Sequence, residues 1–160
     1  MKFSAAVLVT SDRASKGIYE DQSGKILVDL LENNDFEVKY YDVIEDDFDK
    51  IKEKLKSYVD DKISLIITSG GTGFSKRDVT VDASLEVIER LTPGITEAMR
   101  VEGSKITPLS YLSRAAAGIS KDSLIINFPG SAKACRENFA IINKFLTHAL
   151  ETIDESQKLH

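Results

Sequence analysis

The sequence predicts an α/β protein: three layers, with a mostly parallel sheet that has an antiparallel member and helices on both faces. Three observations carry this expectation. Two wholly apolar runs, "FSAAVLVT" at residues 3–10 and "ISLIITS" at residues 63–69, read as strands buried on both faces. Between them lie stretches of helical and alternating spacing, so that strand, helix, strand, helix and strand follow one another within the first 70 residues. Residues 113–127, "SRAAAGISKDSLIIN", read as two strands joined at Lys121-Asp122, which supplies the antiparallel member.

The elements follow in order. In "DQSGKILVDLLENN", Ile26, Leu27, Leu30 and Leu31 fall at helical spacing, and Asn33-Asn34 offers a left-handed stop. Phe36, Val38 and Tyr40 alternate with charged residues, the period of a strand. Residues 47–60 place Phe48, Ile51, Leu55, Tyr58 and Val59 on one helical face. Thr80 is expected to cap a helix running to about Leu91, and Thr92-Pro93 to open the next, with proline where its missing N–H costs least. A single closing helix is expected to carry Cys135, Phe139, Ile142, Leu146, Ala149, Leu150 and Ile153 as one stripe. The whole reads as one domain over residues 1–155, with a tail at 156–160 that is expected to fray.

Composition narrows the function classes. Apolar residues at 42% and charged residues at 29% are ordinary for a folded globular protein, and no apolar run approaches the length of a membrane span. The start, "MKFSAAVLVTSDR", turns polar too soon for a secretory leader and reads as the first strand. The lone Cys135 agrees with a reducing compartment, and the cytoplasm is the expected location. Net charge is -5, with 21 basic residues spread along the chain, so there is no stripe for nucleic acid. His148 and His160 have no partner at metal-ligand spacing, which argues against histidine-based zinc chemistry and Ser-His-Asp catalysis.

Two loops carry the chemistry. "TSGGTGFSKRDVT", residues 68–80, follows the third strand, where ligands of parallel sheets bind. It is no P-loop: counting from Gly70 puts Ser75 at the second glycine and Arg77 at the magnesium-binding hydroxyl. As a dinucleotide fingerprint counted from Gly71 it has Lys76 at the third glycine. The physical logic of anion binding remains. Glycines let N–H groups converge, Thr72 and Ser75 add hydroxyls, and Lys76 and Arg77 add charge; the bland alternative is a bare turn. "NFPGSAKA", residues 127–134, is built alike, with Ser131 placed to cap a helix and Lys133 in its first turn. Asp78 and the cluster Glu45-Asp46-Asp47 follow strand ends and suggest a divalent cation beside a phosphate, although each aspartate could equally cap the helix after it.

Taken together and in order, "TSDRASKGIYEDQSG", "SGGTG" with "RDVT", "PGITEAMR", "LSRAAAG" and "NFPGSAKA" resemble the molybdopterin adenylyltransferase family of molybdenum cofactor biosynthesis, the MogA/MoaB group. The resemblance covers nearly the whole chain. It implies a molybdopterin-binding fold, a homotrimer, and transfer of AMP from magnesium-ATP to the terminal phosphate of molybdopterin. Carried over by position, Asp78 and Asp46 become the essential carboxylates and, directly or through water, the Mg2+ ligands. Where the family usually has a proline before the second aspartate this chain has Glu45, which leaves Asp46 and Asp47 as alternatives. Val81 and Ala132 also stand where proline is common.

The same resemblance implies that Ser69, Gly70, Gly71, Thr72 and Gly73, the loop residues Asn127, Pro129, Gly130 and Ser131, and Ser113 with Arg114 line the pterin and phosphate pocket. Ser75, Lys76 and Arg77 would bind phosphate, and the nucleotide would lie toward Asp21, Ser23 and Gly24. The downstream molybdate-inserting enzyme is an implied partner. Two other readings stay open at this point: a molybdopterin binder without catalysis, and a generic phosphate- or nucleotide-binding module.

Overall fold

The computed structural model describes residues 2–158, with side chains through residue 155. Six strands form one sheet: β1 (Phe3–Thr10), β2 (Phe36–Ile44), β3 (Leu65–Ser69), β4 (Arg90–Leu91), β5 (Ala117–Ser120) and β6 (Ser123–Phe128). Their spatial order is β2-β1-β3-β6-β5-β4. β2, β1, β3 and β6 are parallel, β5 runs antiparallel to β6, and β4 antiparallel to β5. All five residues of β3 and all six of β6 are buried, which is why apolar residues dominate both strands. β2 lies at the edge and alternates instead, with Glu37 and Lys39 among its charged positions.

The helices are α1 (Asp12–Ser15), α2 (Ser23–Asn33), α3 (Phe48–Asp60), α4 (Thr80–Val87), α5 (Pro93–Ser104), α6 (Ala132–Ile142) and α7 (Leu146–Lys158), with a 3-10 turn at Pro108–Leu112. Successive strand residues point to opposite faces and build two cores. Ala5, Val7 and Val9 of β1, with Ile67 and Ile126, meet α2, α5, α6 and α7 on one face. Ala6 and Leu8, with Ile66 and Ile125, meet α3 and α4 on the other. The result is the expected three layers.

Four local expectations are corrected. The closing helix is two helices. Asn143 Nδ2 donates to Asn34 Oδ1 at 3.1 Å, and the Phe145 N–H bonds only three residues back, to Ile142. The stripe survives the break, since Cys135, Phe139, Ile142, Leu146 and Leu150 share one core. The helix expected to reach Leu91 stops at Val87, because Arg90 and Leu91 pair with β5. Thr80 does not cap α4: Val79 holds that position, and the Thr80 hydroxyl bonds Thr10 Oγ1 at 2.8 Å. The left-handed residue after α2 is Asp35, with φ of 66°, and not Asn33 or Asn34. Of the tail expected to fray, the backbone of residues 156–158 continues α7, and residues 159–160 lie outside the described residues.

Strand order places the site. From β1 the chain leaves through α2 to β2 on one side, and from β2 through α3 to β3 on the other. The two connections diverge on opposite faces, opening a crevice beyond the carboxyl ends of β1 and β3.

Candidate functional site

That crevice holds a cleft of about 470 Å³ lined by Thr10 and Ser11 after β1, Asp46 after β2, the loop Ser69 to Gly71 after β3, Asp78, and Gly130 with Ala132 after β6. Asp21 and Ser23 close another side. Gly70 and Gly71 have φ of +100° and +66°, and a Cβ on either would come within 2.5 Å or 2.1 Å of Thr10 O or Thr80 Oγ1. The Gly70 N–H donates to Phe128 O at 3.1 Å, and the one Ser69 hydroxyl proton is shared between Ser23 Oγ at 3.0 Å and Pro129 O at 2.9 Å. These bonds make the glycine loop and the Asn127 to Ser131 loop a single wall. Cys135 lies behind it, fully buried, and burial pushes its thiol up to about 11, so it is no nucleophile.

The aspartates divide their work. Asp47 caps α3, accepting from the Lys50 N–H at 3.0 Å, and is not among the residues lining the cleft, whereas Asp46 is. Asp78 lines the cleft too, its Oδ2 accepting from the Ser75 N–H at 3.0 Å. Burial raises the Asp46 pKa above the usual carboxylate value, and the charges of Asp12 and Asp78 add to that. The Asp12 N–H and Arg77 oppose the shift. Asp12 was absent from the sequence expectation. Its carboxylate is held below its ordinary value, first by the Arg77 guanidinium, then by the Asp46 N–H. The signal available for it was position: "TSD" leaves β1 where "SGG" leaves β3.

A second cavity of about 310 Å³ lies on the other side of the wall. Thr72, Gly73, Ser113 and Pro129 line it as far as the expected set goes. The rest comes from α5, the 3-10 turn and α6, including Met99, Leu109, Leu112, Ile141 and the carboxylate of Glu137. Arg100 donates from Nη1 to the carbonyls of Ser113 and Ala115 at 3.2 and 3.0 Å, and from Nη2 to Thr96 Oγ1 at 3.2 Å. This cavity is mainly apolar, the other acidic.

Several expected site residues support the walls. Arg114 donates from Nε to Gly73 O at 2.9 Å and from Nη2 to Asp78 O at 2.7 Å, and it pairs with Asp82, clamping the loop. Asn127 is fully buried, donating to Thr68 Oγ1 and Ser84 Oγ at 2.9 Å each and accepting from the Ala116 N–H at 3.0 Å. Ser131 caps α6 through the Ala134 N–H. Asp21 accepts from the Gly24 N–H, from Ser23 Oγ and from the Tyr41 hydroxyl, which ties the start of α2 to β2; Gly24 packs behind it. Ser75 and Lys76 are exposed, and Arg77 is turned toward Asp12.

Residues 6–148 match the family model described as "Probable molybdopterin binding domain". The chain belongs to this molybdopterin-binding family. Among its relatives, a molybdopterin adenylyltransferase of Helicobacter pylori is 40% identical over 151 residues, covering 92% of this chain and 85% of the relative. Gephyrin of Dictyostelium discoideum is 39% identical over 95% of this chain, which corresponds to only 23% of gephyrin. A solved structure of MogA superposes with a TM-score of 0.90 at 37% identity, covering 94% of this chain and 99% of that one. MoaB from Thermus thermophilus does so at 0.89 and 36%, covering 94% and 96%.

The molybdopterin-binding fold thus presents a cleft lined by Glu20, Asp21, Asp46 and Asp78; Asp21 is engaged at the start of α2 and Glu20 pairs with Lys25, which leaves Asp46 and Asp78. Among the described residues no group of three or more His, Cys, Asp and Glu is assembled to hold a metal alone. Two hard carboxylates in an open cleft suit an ion such as Mg2+, which keeps several waters and takes further ligands from phosphates. No helix among the described residues is long and apolar enough to cross a membrane.

Proposed function

We propose that this chain is a molybdopterin adenylyltransferase, transferring AMP from magnesium-ATP to the terminal phosphate of molybdopterin and releasing pyrophosphate. The observation that carries the reading is the pair of cavities sharing one glycine-rich wall, one acidic and one apolar, in a member of the molybdopterin-binding family. Two substrates of different chemistry meet there. The triphosphate takes the cleft of Asp46 and Asp78. The flat pterin takes the cavity walled by Met99, Leu109, Leu112 and Ile141, with its phosphate directed over Gly73 and Gly130 toward Asp78.

The attacking phosphate oxygen is already ionised near neutral pH, so no histidine base is required. The chain's own residues hold two anions in line across the glycine-rich wall. Mg2+, held by Asp46 and Asp78, would neutralise charge on the triphosphate. The protein is further proposed to act as a homotrimer in the cytoplasm and to pass its product to the molybdate-inserting enzyme; sedimentation velocity reads the assembly.

Purified protein supplied with magnesium-ATP and molybdopterin is expected to release pyrophosphate. Asp78→Asn is expected to lower turnover by about 100-fold or more while molybdopterin still binds, since it removes charge from the reacting cleft only. Wild-type protein that binds molybdopterin without releasing pyrophosphate would reduce the reading to a carrier. No binding at all would leave a generic phosphate-binding module.

A further inference from the structure

We propose that Asp12 is a positioning residue for this transfer: it fixes the Asp46 carboxylate and ties it to the segment that carries Asp78. The inference rests on the adenylyltransferase reading and names a residue that reading leaves without a role.

The geometry is a closed ring. The Asp46 N–H donates to Asp12 Oδ1 at 2.9 Å, and the Asp12 N–H donates to Asp46 Oδ2 at 3.1 Å. Each aspartate thereby accepts from the other's backbone: the Asp12 N–H sets the rotamer of the Asp46 carboxylate, and the Asp12 carboxylate holds the backbone of Asp46 that carries it. The ring stands on rigid elements. Thr10 pairs with Ile44 at the end of the β1–β2 ladder, and the Ser11 N–H extends it by donating to Ile44 O at 2.8 Å. Side chains placed within two residues of paired strands are held more closely than side chains on free loops.

Asp12 has a second arm. Arg77 Nε and Nη2 both donate to Asp12 Oδ2, at 3.1 and 2.7 Å. Arg77 immediately precedes Asp78, so one carboxylate joins the exits of β1, β2 and β3. Arg77 is thereby occupied, and its work is to orient Asp12 rather than to bind phosphate directly. A merely structural role is a poor rival. The Arg77 side chain is 66% exposed and that of Asp12 28%, and an ion pair this open to water contributes little to stability. A network that adds little to folding, yet holds a cleft aspartate by its backbone and by its carboxylate, is placed to act on turnover.

Amide exchange of the ligand-free protein and steady-state kinetics test this together. In wild type the Asp46 N–H is expected to be protected, and in Asp12→Ala to exchange at least about 10-fold faster, since its acceptor is gone. Asp12→Ala is expected to lower kcat by about 10- to 100-fold, with both KM values within about threefold, as for residues that orient a metal-binding carboxylate. Asp12→Asn keeps an oxygen for Asp46 but offers N–H groups to Arg77, and should fall between. In an Asp46→Asn background, Asp12→Ala is expected to cost nothing more, because it acts through Asp46. Unchanged exchange at Asp46, wild-type kcat, a loss in KM alone, or a full second loss in the double variant would each overturn the proposal. Should Asp12→Ala not fold, Arg77→Gln and Asp12→Asn carry the same comparison. If wild type releases no pyrophosphate, the adenylyltransferase reading fails, while the exchange measurement still decides whether Asp12 holds Asp46.

Discussion

Gly71→Ala perturbs the wall between the two cavities at its tightest point. The added Cβ would lie 2.1 Å from Thr80 Oγ1 and 2.9 Å from Thr80 Cβ, with the backbone at φ +66°. Alanine in the left-handed region costs about 1–2 kcal/mol. Overpacking against a buried threonine adds about 1–3 kcal/mol, since Thr80 can escape only by moving the start of α4. Its 2.8 Å bond to Thr10 Oγ1 would be lost in the process. The sum, about 2–5 kcal/mol, corresponds to a drop in Tm of about 4–20 °C for a chain of this size. Thermal unfolding followed by circular dichroism reads it, with Gly94→Ala as the control. Gly94 lies in α5 with nothing within 4 Å of an added Cβ, so alanine there should be neutral or stabilising by up to about 1 kcal/mol. If Gly71→Ala lowers Tm no more than Gly94→Ala does, the glycine loop is not clamped between β1 and α4 and the rigid shared wall is wrong.

Two further outcomes follow from buried polar groups. Asn127→Ala strips partners from Thr68, Ser84 and the Ala116 N–H in the core, and urea unfolding should show a loss of about 3 kcal/mol or more; a loss confined to molybdopterin binding would make Asn127 a ligand contact instead. Asp46→Asn, measured without divalent ions, should raise Tm at neutral pH, while its turnover with magnesium-ATP should fall about 100-fold and stay measurable. Burial raises the folded-state pKa of Asp46, so its contribution is full below the unfolded carboxylate pKa of about 4 and is lost as pH rises through the folded value. The gain in Tm should therefore shrink on acidification, and a gain that grows would refute the sign.

Whether a feature could be read from the chain depended on how local its cause was. β1, β3 and β6 announce themselves because burial on both faces demands runs dominated by apolar residues, and Pro93 marks the start of α5 through its own backbone. The break at Asn143 did not, because the apolar stripe continues across it and the contact beside the turn is with Asn34, far away in sequence. Leu91 reads as helix by spacing and becomes strand only because β5 offers it an edge. At the site, the glycines and Asp78 were visible as a pattern. The role of Asn127 was not, since it depends on hydroxyls from β3 and α4 that only the sheet brings together. Asp12 was hidden for the same reason: one aspartate after a strand says nothing until Asp46 and Arg77 arrive beside it.

The charge in the cleft argues for the form in which the nucleotide arrives. Asp46, Asp78 and Asp21 line it, while the nearby cations of the same loop are elsewhere: Lys76 is exposed and Arg77 is bound to Asp12. A bare triphosphate would meet like charge with little to offset it, beyond the N–H groups of the glycine loop. The raised pKa of Asp46 reports the same cost, since burial and two neighbouring carboxylates already disfavour its ionised form. A polyphosphate carrying its own divalent counter-ion would reverse the sign: Asp46 and Asp78 would hold the cation, and the cation would offset charge on the phosphates. On the proposed adenylyltransferase reading, the acidic cleft would select the magnesium complex over the free nucleotide, and an Asp-rich lining that looks wrong for phosphate would become the basis of its specificity.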